Sequence, residues 1–243
     1  MTMTIAKTTV KVDTEFQQQL EDARKPSHSG MHPFSQAWAD GKLSKEQLIG
    51  WCKQHYYYIE TVGQMFGMMY VRTPDTDARL FILDNLVGEE LHGTRHPDLL
   101  IQFAESLGAT RQEIIEADLN GEILPSTRAM RAWTLELANF RPLYEAAAGI
   151  MIGLEGQLPT MYPKYVKALK ETIGSTDEAL KFFYVHIEGD EEHADNGIQI
   201  VARYADTPEK RRAAVATVRA SAEVRYAYVS GTYRRYVLGE RGF

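Results

Sequence analysis

The chain has 243 residues, of which 44% are hydrophobic and 25% are charged, and its formal net charge is −6. This length and composition fit a globular protein with a sizeable core. The negative charge argues against a nucleic-acid partner, and no stretch approaches the ~18 apolar residues that a membrane span needs. The single cysteine, Cys52, excludes an intrachain disulfide. We therefore expect a cytoplasmic protein in which Cys52 is an inert packing residue.

Nearly every long segment has a helical period, which predicts an all-α protein built as one compact bundle of seven or more helices. Residues 1–13 are Thr-rich and are expected to form a flexible arm before a single domain over residues 14–243. In the first half of the chain the predicted helices cover residues 14–24, 33–41, 45–72, a segment from 77, 99–107 and 110–117; Gly93 and Pro97 bend or interrupt the helix that begins at 77. In the second half, one or two helices cover residues 125–153. Pro159 and Pro163 follow, and the last predicted helices cover residues 165–173, 177–204 and 208–237.

Three segments carry candidate metal ligands. Glu89 and His96 are seven residues apart, which on a continuous helix separates them by only ~20° around the axis. His186, Asp190 and His193 have the i, i+4, i+7 spacing of one helical stripe.

The remaining segment lies between the other two in the chain and ends at Glu155. This carboxylate follows the apolar run 146–154 and needs a partner if it is buried. Imidazole and carboxylate together suit a redox-active transition metal with open coordination sites. Two Fe²⁺ ions and three carboxylates leave one net positive charge, which can hold an anion. The sequence therefore predicts a two-iron site in the core of the bundle.

Other interpretations remain open. Glu89-x-x-His92 and Asp190-x-x-His193 resemble the i, i+3 pairs of ferritin-like di-iron proteins, with Glu155 and Glu60 completing the set. The acidic stripe around residues 188–195 also fits a solvated surface, in which case the chain would be a non-enzymatic helical interaction protein.

The spacing Glu89-x6-His96, Glu155, His186-x3-Asp190-x2-His193 resembles the ligand pattern of haem-oxygenase-like di-iron oxidases and oxygenases. The segment from His32 to Trp51, with His32-Pro33-Phe34-Ser35-Gln36-Ala37 and Gly41-Lys42-Leu43-Ser44, resembles CADD-like proteins and pyrroloquinoline quinone synthase. The resemblance covers about residues 30–235. It implies the haem-oxygenase-like fold, a homodimer, two Fe(II) ions, and O₂ as co-substrate.

The resemblance leads us to expect oxidation of a small carboxylate or amino-acid-derived metabolite, with an external electron donor as a possible partner. One alternative is p-aminobenzoate synthesis, as in CADD-like proteins. Those relatives carry tyrosines beside the central ligand Glu and one turn before the ligand His, where this chain has Leu154 and Phe182. A second alternative is cofactor-free oxidation of the quinone synthase type. For a substrate carboxylate the sequence offers three candidate anchors, Arg128, Arg131 and Arg203.

Overall fold

The computed structural model describes residues 8–91 and 93–241, and at position 188 and positions 190–193 it describes the backbone alone. Within these residues the chain is all-α and contains no strand, as predicted. Its helices are α1 Thr14–Arg24, α2 Pro33–Ala39, α3 Lys45–Ile59, α4 Val62–Arg72, α5 Thr76–Leu91, α6 His96–Leu107, α7 Arg111–Ile115, α8 Pro125–Phe140, α9 Leu143–Ala147, α10 Leu158–Ala168, α11 Lys181–Tyr204 and α12 Pro208–Tyr236.

Several helix ends follow directly from local side-chain chemistry. Asp13 caps α1 by accepting from two backbone N–H groups of its first turn. Ser44 and Gln47 form the predicted capping box at the start of α3. Gly108 ends α6 with φ 109°, a conformation that favours glycine.

The structure corrects two helix predictions. The helix predicted over residues 45–72 is two helices, α3 and α4, because the chain turns at Glu60 and Thr61, where the Thr61 hydroxyl donates to the Tyr58 carbonyl at 2.7 Å. Pro163 does not interrupt the chain but lies inside α10. It is the sixth of the eleven residues of that helix, so α10 lacks the main-chain hydrogen bond that an N–H at this position would donate to the Pro159 carbonyl.

Two irregular segments connect α9 to α10. A π-helical segment, Ala148–Leu154, continues directly from α9, and a 3₁₀ turn, Glu155–Gln157, leads into α10. The π-helical segment is fully buried and packs against both α11 and α12. It therefore lies at the centre of the bundle.

The two long C-terminal helices position most of the remaining elements. α11 packs against α5, α9 and α10, and α12 packs against α1, α3 and α8. Asn196 on α11 donates to the Asn85 side chain on α5 at 2.9 Å inside this packing. This buried amide pair holds α5 and α11 side by side, one turn from Glu89.

Residues 1–7 of the predicted arm lie outside the described residues. Residues 8–13 have no regular secondary structure and contact α11, where Val10 N–H donates to Gln199 Oε1 at 2.8 Å and Arg203 donates to the Thr8 carbonyl at 2.7 Å. In the described part of the chain no helix is both long and apolar enough to cross a membrane.

Candidate metal centre

Glu89 and His96 meet at the corner between α5 and α6. The predicted interruption is confirmed, because α5 ends at Leu91, Gly93 has φ 87° and α6 begins at His96 with Pro97 in its first turn. Both side chains are buried, and His96 Nδ1 lies 2.9 Å from Glu89 Oε2. The two residues therefore meet across a bend in the chain and not along one helix.

His186 reaches the same point from α11. Its Nδ1 lies 2.6 Å from the Phe182 carbonyl oxygen. A carbonyl can only accept, so Nδ1 carries a proton, and in the neutral ring Nε2 then carries the lone pair. The same arrangement orients many metal-binding histidines, in which the nitrogen away from the metal donates to a carbonyl or carboxylate.

Glu89, His96 and His186 form one buried cluster. One ligand atom from each residue lies within 4.8 Å of the other two, and the rings of His96 and His186 have centroids 4.6 Å apart. Two imidazoles and a carboxylate are a donor set that suits a divalent first-row transition metal, iron included. These three predicted ligands fit an iron ion.

Glu155 lies on the wall of the cavity that Glu89 and His186 also line. It follows the π-helical segment, in which two backbone carbonyls accept hydrogen bonds from side chains. Arg24 donates to the Ile152 carbonyl at 3.2 Å, and Gln157 donates to the Gly153 carbonyl at 2.6 Å. Only 7% of Glu155 is exposed. Single turns of π-helix often occur at functional sites, and this one carries Glu155 into the core.

Asp190 and His193 follow His186 on the unbroken helix α11, at the spacing of one stripe. Their side chains lie outside the described residues, so the six-residue ligand set remains a prediction. In the rival set, His92 also lies outside the described residues. Glu60, its fourth carboxylate, is 37% exposed at its side chain, binds Arg131 at 2.9 Å and does not line the cavity of Glu89.

The three arginines proposed as carboxylate anchors are all placed elsewhere. Arg128 pairs with Asp118, Arg131 with Glu60, and Arg203 with Asp75 and Asp77. The arginine that lines the cavity is Arg225, which sequence reasoning missed. Its spacing was the available signal, since Ala214, Val218, Ser221, Arg225 and Tyr228 form one buried i, i+3/i+4 stripe on α12.

The cavity has a volume of about 20 Å³, which is room for about one water molecule. Besides Glu89, Glu155, His186 and Arg225, its walls are mainly aromatic and aliphatic, contributed by His55, Tyr58, Ile59, Val62 and Leu158. Burial raises the pKa of Tyr58 well above its usual value, and the Glu155 carboxylate raises it further. Burial lowers the pKa of His55, and the nearby Arg225 cation lowers it further. At neutral pH both groups are therefore uncharged.

Cys52 takes no part in this site. It is 0% exposed, and burial raises the pKa of its thiol well above the usual value. A protonated, inaccessible thiol is a poor nucleophile. The prediction that Cys52 is a packing residue is confirmed, and its lack of reactivity stays a prediction.

Comparison with known proteins places the chain in a family. A family model described as an iron-containing redox enzyme matches residues 49–226. The chain is 29% identical over 231 residues to a 4-aminobenzoate synthase from Nitrosomonas europaea, covering 91% of this chain and 92% of that protein. It is 28% identical over 212 residues to a pyrroloquinoline-quinone synthase from Acidiphilium cryptum, covering 85% and 83%.

The fold agrees with this comparison. A domain of unknown function with a haem-oxygenase-like fold from Shewanella denitrificans superposes with a TM-score of 0.77 at 18% identity, covering 96% of this chain and 100% of that one. The predicted fold class and the predicted family resemblance are both confirmed. The chain belongs to the family of iron-containing redox enzymes, and it has the haem-oxygenase-like fold.

Proposed function

We propose that the protein is a non-haem di-iron oxidase or oxygenase that uses O₂ to oxidise a small carboxylate or amino-acid-derived metabolite. The observation that carries this proposal is the buried cluster of Glu89, His96 and His186, in a member of a family of iron-containing redox enzymes. Glu89 and His186 of this cluster share a cavity with Glu155. We assign two Fe(II) ions to Glu89, His96, Glu155, His186, Asp190 and His193. When bound, iron supplies the redox equivalents that let O₂ react with an organic substrate.

The residues of the chain prepare the site in three ways. The Phe182 carbonyl fixes the tautomer of His186, so that its lone-pair nitrogen is ready to bind. Ile59, Val62 and Leu158 contribute apolar walls that limit water around the carboxylates. Tyr58 keeps its phenol proton at neutral pH and offers an O–H donor inside the cavity.

A 4-aminobenzoate synthase activity is the second candidate, since a relative of that name aligns over most of the chain. Tyr162, whose ring centroid is 5.7 Å from that of His186, places a phenol beside the cluster. The two positions at which the CADD-like resemblance implies tyrosine are Leu154 and Phe182, and both are buried. Tyr58 and Tyr162 are thus the phenols to test for this activity.

We infer a homodimer in the cytoplasm, with a small-molecule substrate and, for an oxygenase reaction, an external electron donor. Cofactor-free oxidation of the quinone synthase type is the competing chemistry on this fold. The close approach of the Glu89 carboxylate to two buried imidazoles favours the iron-dependent reaction.

Oxygen uptake tests the proposal without knowledge of the substrate. Protein loaded anaerobically with Fe(II) is mixed with buffer of known O₂ content in an oxygen electrode. Wild-type protein should consume O₂ at a rate above that of the same concentration of free Fe(II), and Asp190→Ala and His193→Ala should not.

Asp206→Ala is the matched control, because Asp206 is exposed and pairs with Lys210 on the surface. It should behave like the wild type. A wild-type protein that binds iron but leaves the O₂ concentration unchanged would contradict the oxidase proposal. The same conclusion would follow if both ligand variants consumed O₂ at the wild-type rate.

A further inference from the structure

Arg225 is a buried cation on the wall of the proposed active-site cavity. It lies in the middle of α12 and is 4% exposed. A buried guanidinium is costly unless its charge and its hydrogen-bond donors are satisfied. Its surroundings therefore indicate what it binds.

Polar side chains hold one edge of the Arg225 guanidinium. Its Nε donates to Ser29 Oγ at 3.1 Å, and Ser29 Oγ donates in turn to Gln157 Oε1 at 2.8 Å. The backbone N–H of Ser29 also donates to Gln157 Oε1, at 2.8 Å. Arginine carries five N–H donors in a rigid plane, so fixing Nε fixes the direction of the two terminal nitrogens.

No ion pair links Arg225 to a carboxylate among the described residues, and within that part of the chain its side chain makes one hydrogen bond, to Ser29. The two carboxylates that share its cavity, Glu89 and Glu155, are assigned to iron in the proposed function. Two Fe(II) ions and Arg225, set against three carboxylates, leave an excess of two positive charges. The cavity with iron bound therefore attracts an anion.

We propose that Arg225 binds the carboxylate of the substrate through its terminal nitrogens, which places the oxidisable part of the molecule between Tyr58 and the Glu89–His186 cluster. This inference rests on the proposed function for the position of the oxidised atom. A carboxylate is the anion that the planar guanidinium fork matches with two parallel hydrogen bonds. The cavity is narrow, about 20 Å³, so a substrate can enter only if the walls move apart. The aliphatic side chains of Ile59, Val62 and Leu158 in those walls favour a small, largely apolar body.

Binding of simple probes tests this assignment. Acetate and benzoate, each paired with its neutral amide, are titrated calorimetrically into protein loaded anaerobically with Fe(II) and, in parallel, into protein without added metal. At least one carboxylate should bind wild-type protein at least tenfold more tightly than its amide. Arg225→Gln should weaken that carboxylate about tenfold or more, because hydrogen bonds between two charged groups are roughly twice as strong as neutral ones. Arg225→Lys, which keeps the charge but loses the fork, should lie between the two.

The matched control is Arg219→Gln, since Arg219 lies on the same helix but is exposed. It should bind the probes as wild-type protein does. The assignment is overturned if neither carboxylate binds, if the amides bind as tightly as the acids, or if Arg225→Gln retains the wild-type affinity. If Arg225→Gln does not fold, the lysine variant and the acid–amide comparison still decide the question.

Elemental analysis separates this inference from the proposed function. The Arg225 variants should bind as much iron as wild-type protein, because Arg225 is not assigned as a ligand. Carboxylate binding that depends on Arg225 in a protein that takes up no iron would support the anchor and contradict the di-iron site. The opposite pair of results would support the metal site and overturn the anchor.

Discussion

Gly153 lies in the π-helical segment two residues before Glu155, and a methyl group there should disturb both the packing and the iron site. A Cβ atom at Gly153 would lie 2.8 Å from Ser221 Cβ and 3.1 Å from the Val218 carbonyl oxygen, both on α12. Neither atom belongs to the end of a flexible side chain. Gly153→Ala therefore requires the π-helical segment and α12 to move apart.

The size of the effect follows from two opposing contributions. Adding a methylene to a well-packed core costs about 1–3 kcal/mol. Replacing glycine by alanine in a helix recovers about 0.5–1 kcal/mol. We expect a net loss of about 1–2 kcal/mol, which for a chain of this length lowers the melting temperature by about 2–8 °C.

The matched control is Gly67→Ala on α4, where an added Cβ would meet nothing within 4 Å. That variant should gain about 0.5–1 kcal/mol, because only the backbone contribution changes. Calorimetric melting curves and iron titrations of both variants measure the two effects. Gly153→Ala should also bind iron about tenfold more weakly or worse, because positioning residues around a metal site commonly contribute this much. If Gly153→Ala were as stable as Gly67→Ala and bound iron like the wild type, the close packing of this segment would not position Glu155.

Two further predictions concern buried side chains outside the metal site. His32 caps α2, where its Nδ1 accepts the Phe34 N–H at 3.0 Å. Burial lowers the pKa of His32 from 6.5 to about 4. The stability that the neutral ring contributes is therefore present above pH ~6.5 and is lost as the pH falls towards 4. His32→Asn keeps a capping side chain that does not titrate. Between pH 7 and 4.5 the free energy of unfolding in urea should decrease in both proteins, and the decrease should be about 1–2 kcal/mol smaller in His32→Asn than in wild type. An equal decrease in the two proteins would refute the role given to His32. Cys52 is fully buried, so it should react with a thiol reagent such as 5,5′-dithiobis(2-nitrobenzoic acid) only after the protein is denatured. Rapid reaction of the native protein would contradict the packing role of Cys52.

Local sequence signals were sufficient for most of the helices and for the chemistry of the cluster. The capping residues Ser44 and Gln47, the break at Gly93 and Pro97, and the spacing of the His186 stripe all act within one or two helical turns. Such signals can be recognised without knowledge of the tertiary structure. For the same reason the spacing singled out Glu89, His96 and His186, which the structure brings together in one cluster. Their binding of iron stays a prediction.

Features that depend on packing were harder to predict. The turn between α3 and α4 has no glycine or proline at Glu60 and Thr61, and the periodicity continues through it. Arg225 is far in sequence from the cluster residues and joins them only when α12 packs against the core, so no local pattern connects it with them. Arg128 and Arg203 had equal claims on sequence alone, and only the burial of this stripe of α12 against the cavity distinguishes Arg225 from them.

Iron anomalous diffraction from crystals grown or soaked anaerobically with Fe(II) tests the central claim most directly. The account predicts two iron peaks in each chain, both among Glu89, His96, Glu155, His186, Asp190 and His193, with the oxygen or nitrogen atoms of all six residues close enough to bind one ion or the other. Crystals of Glu155→Ala should lose at least one of the two peaks. No iron peak in the cavity of wild-type protein, or a peak bound only by residues outside this set, would contradict the account.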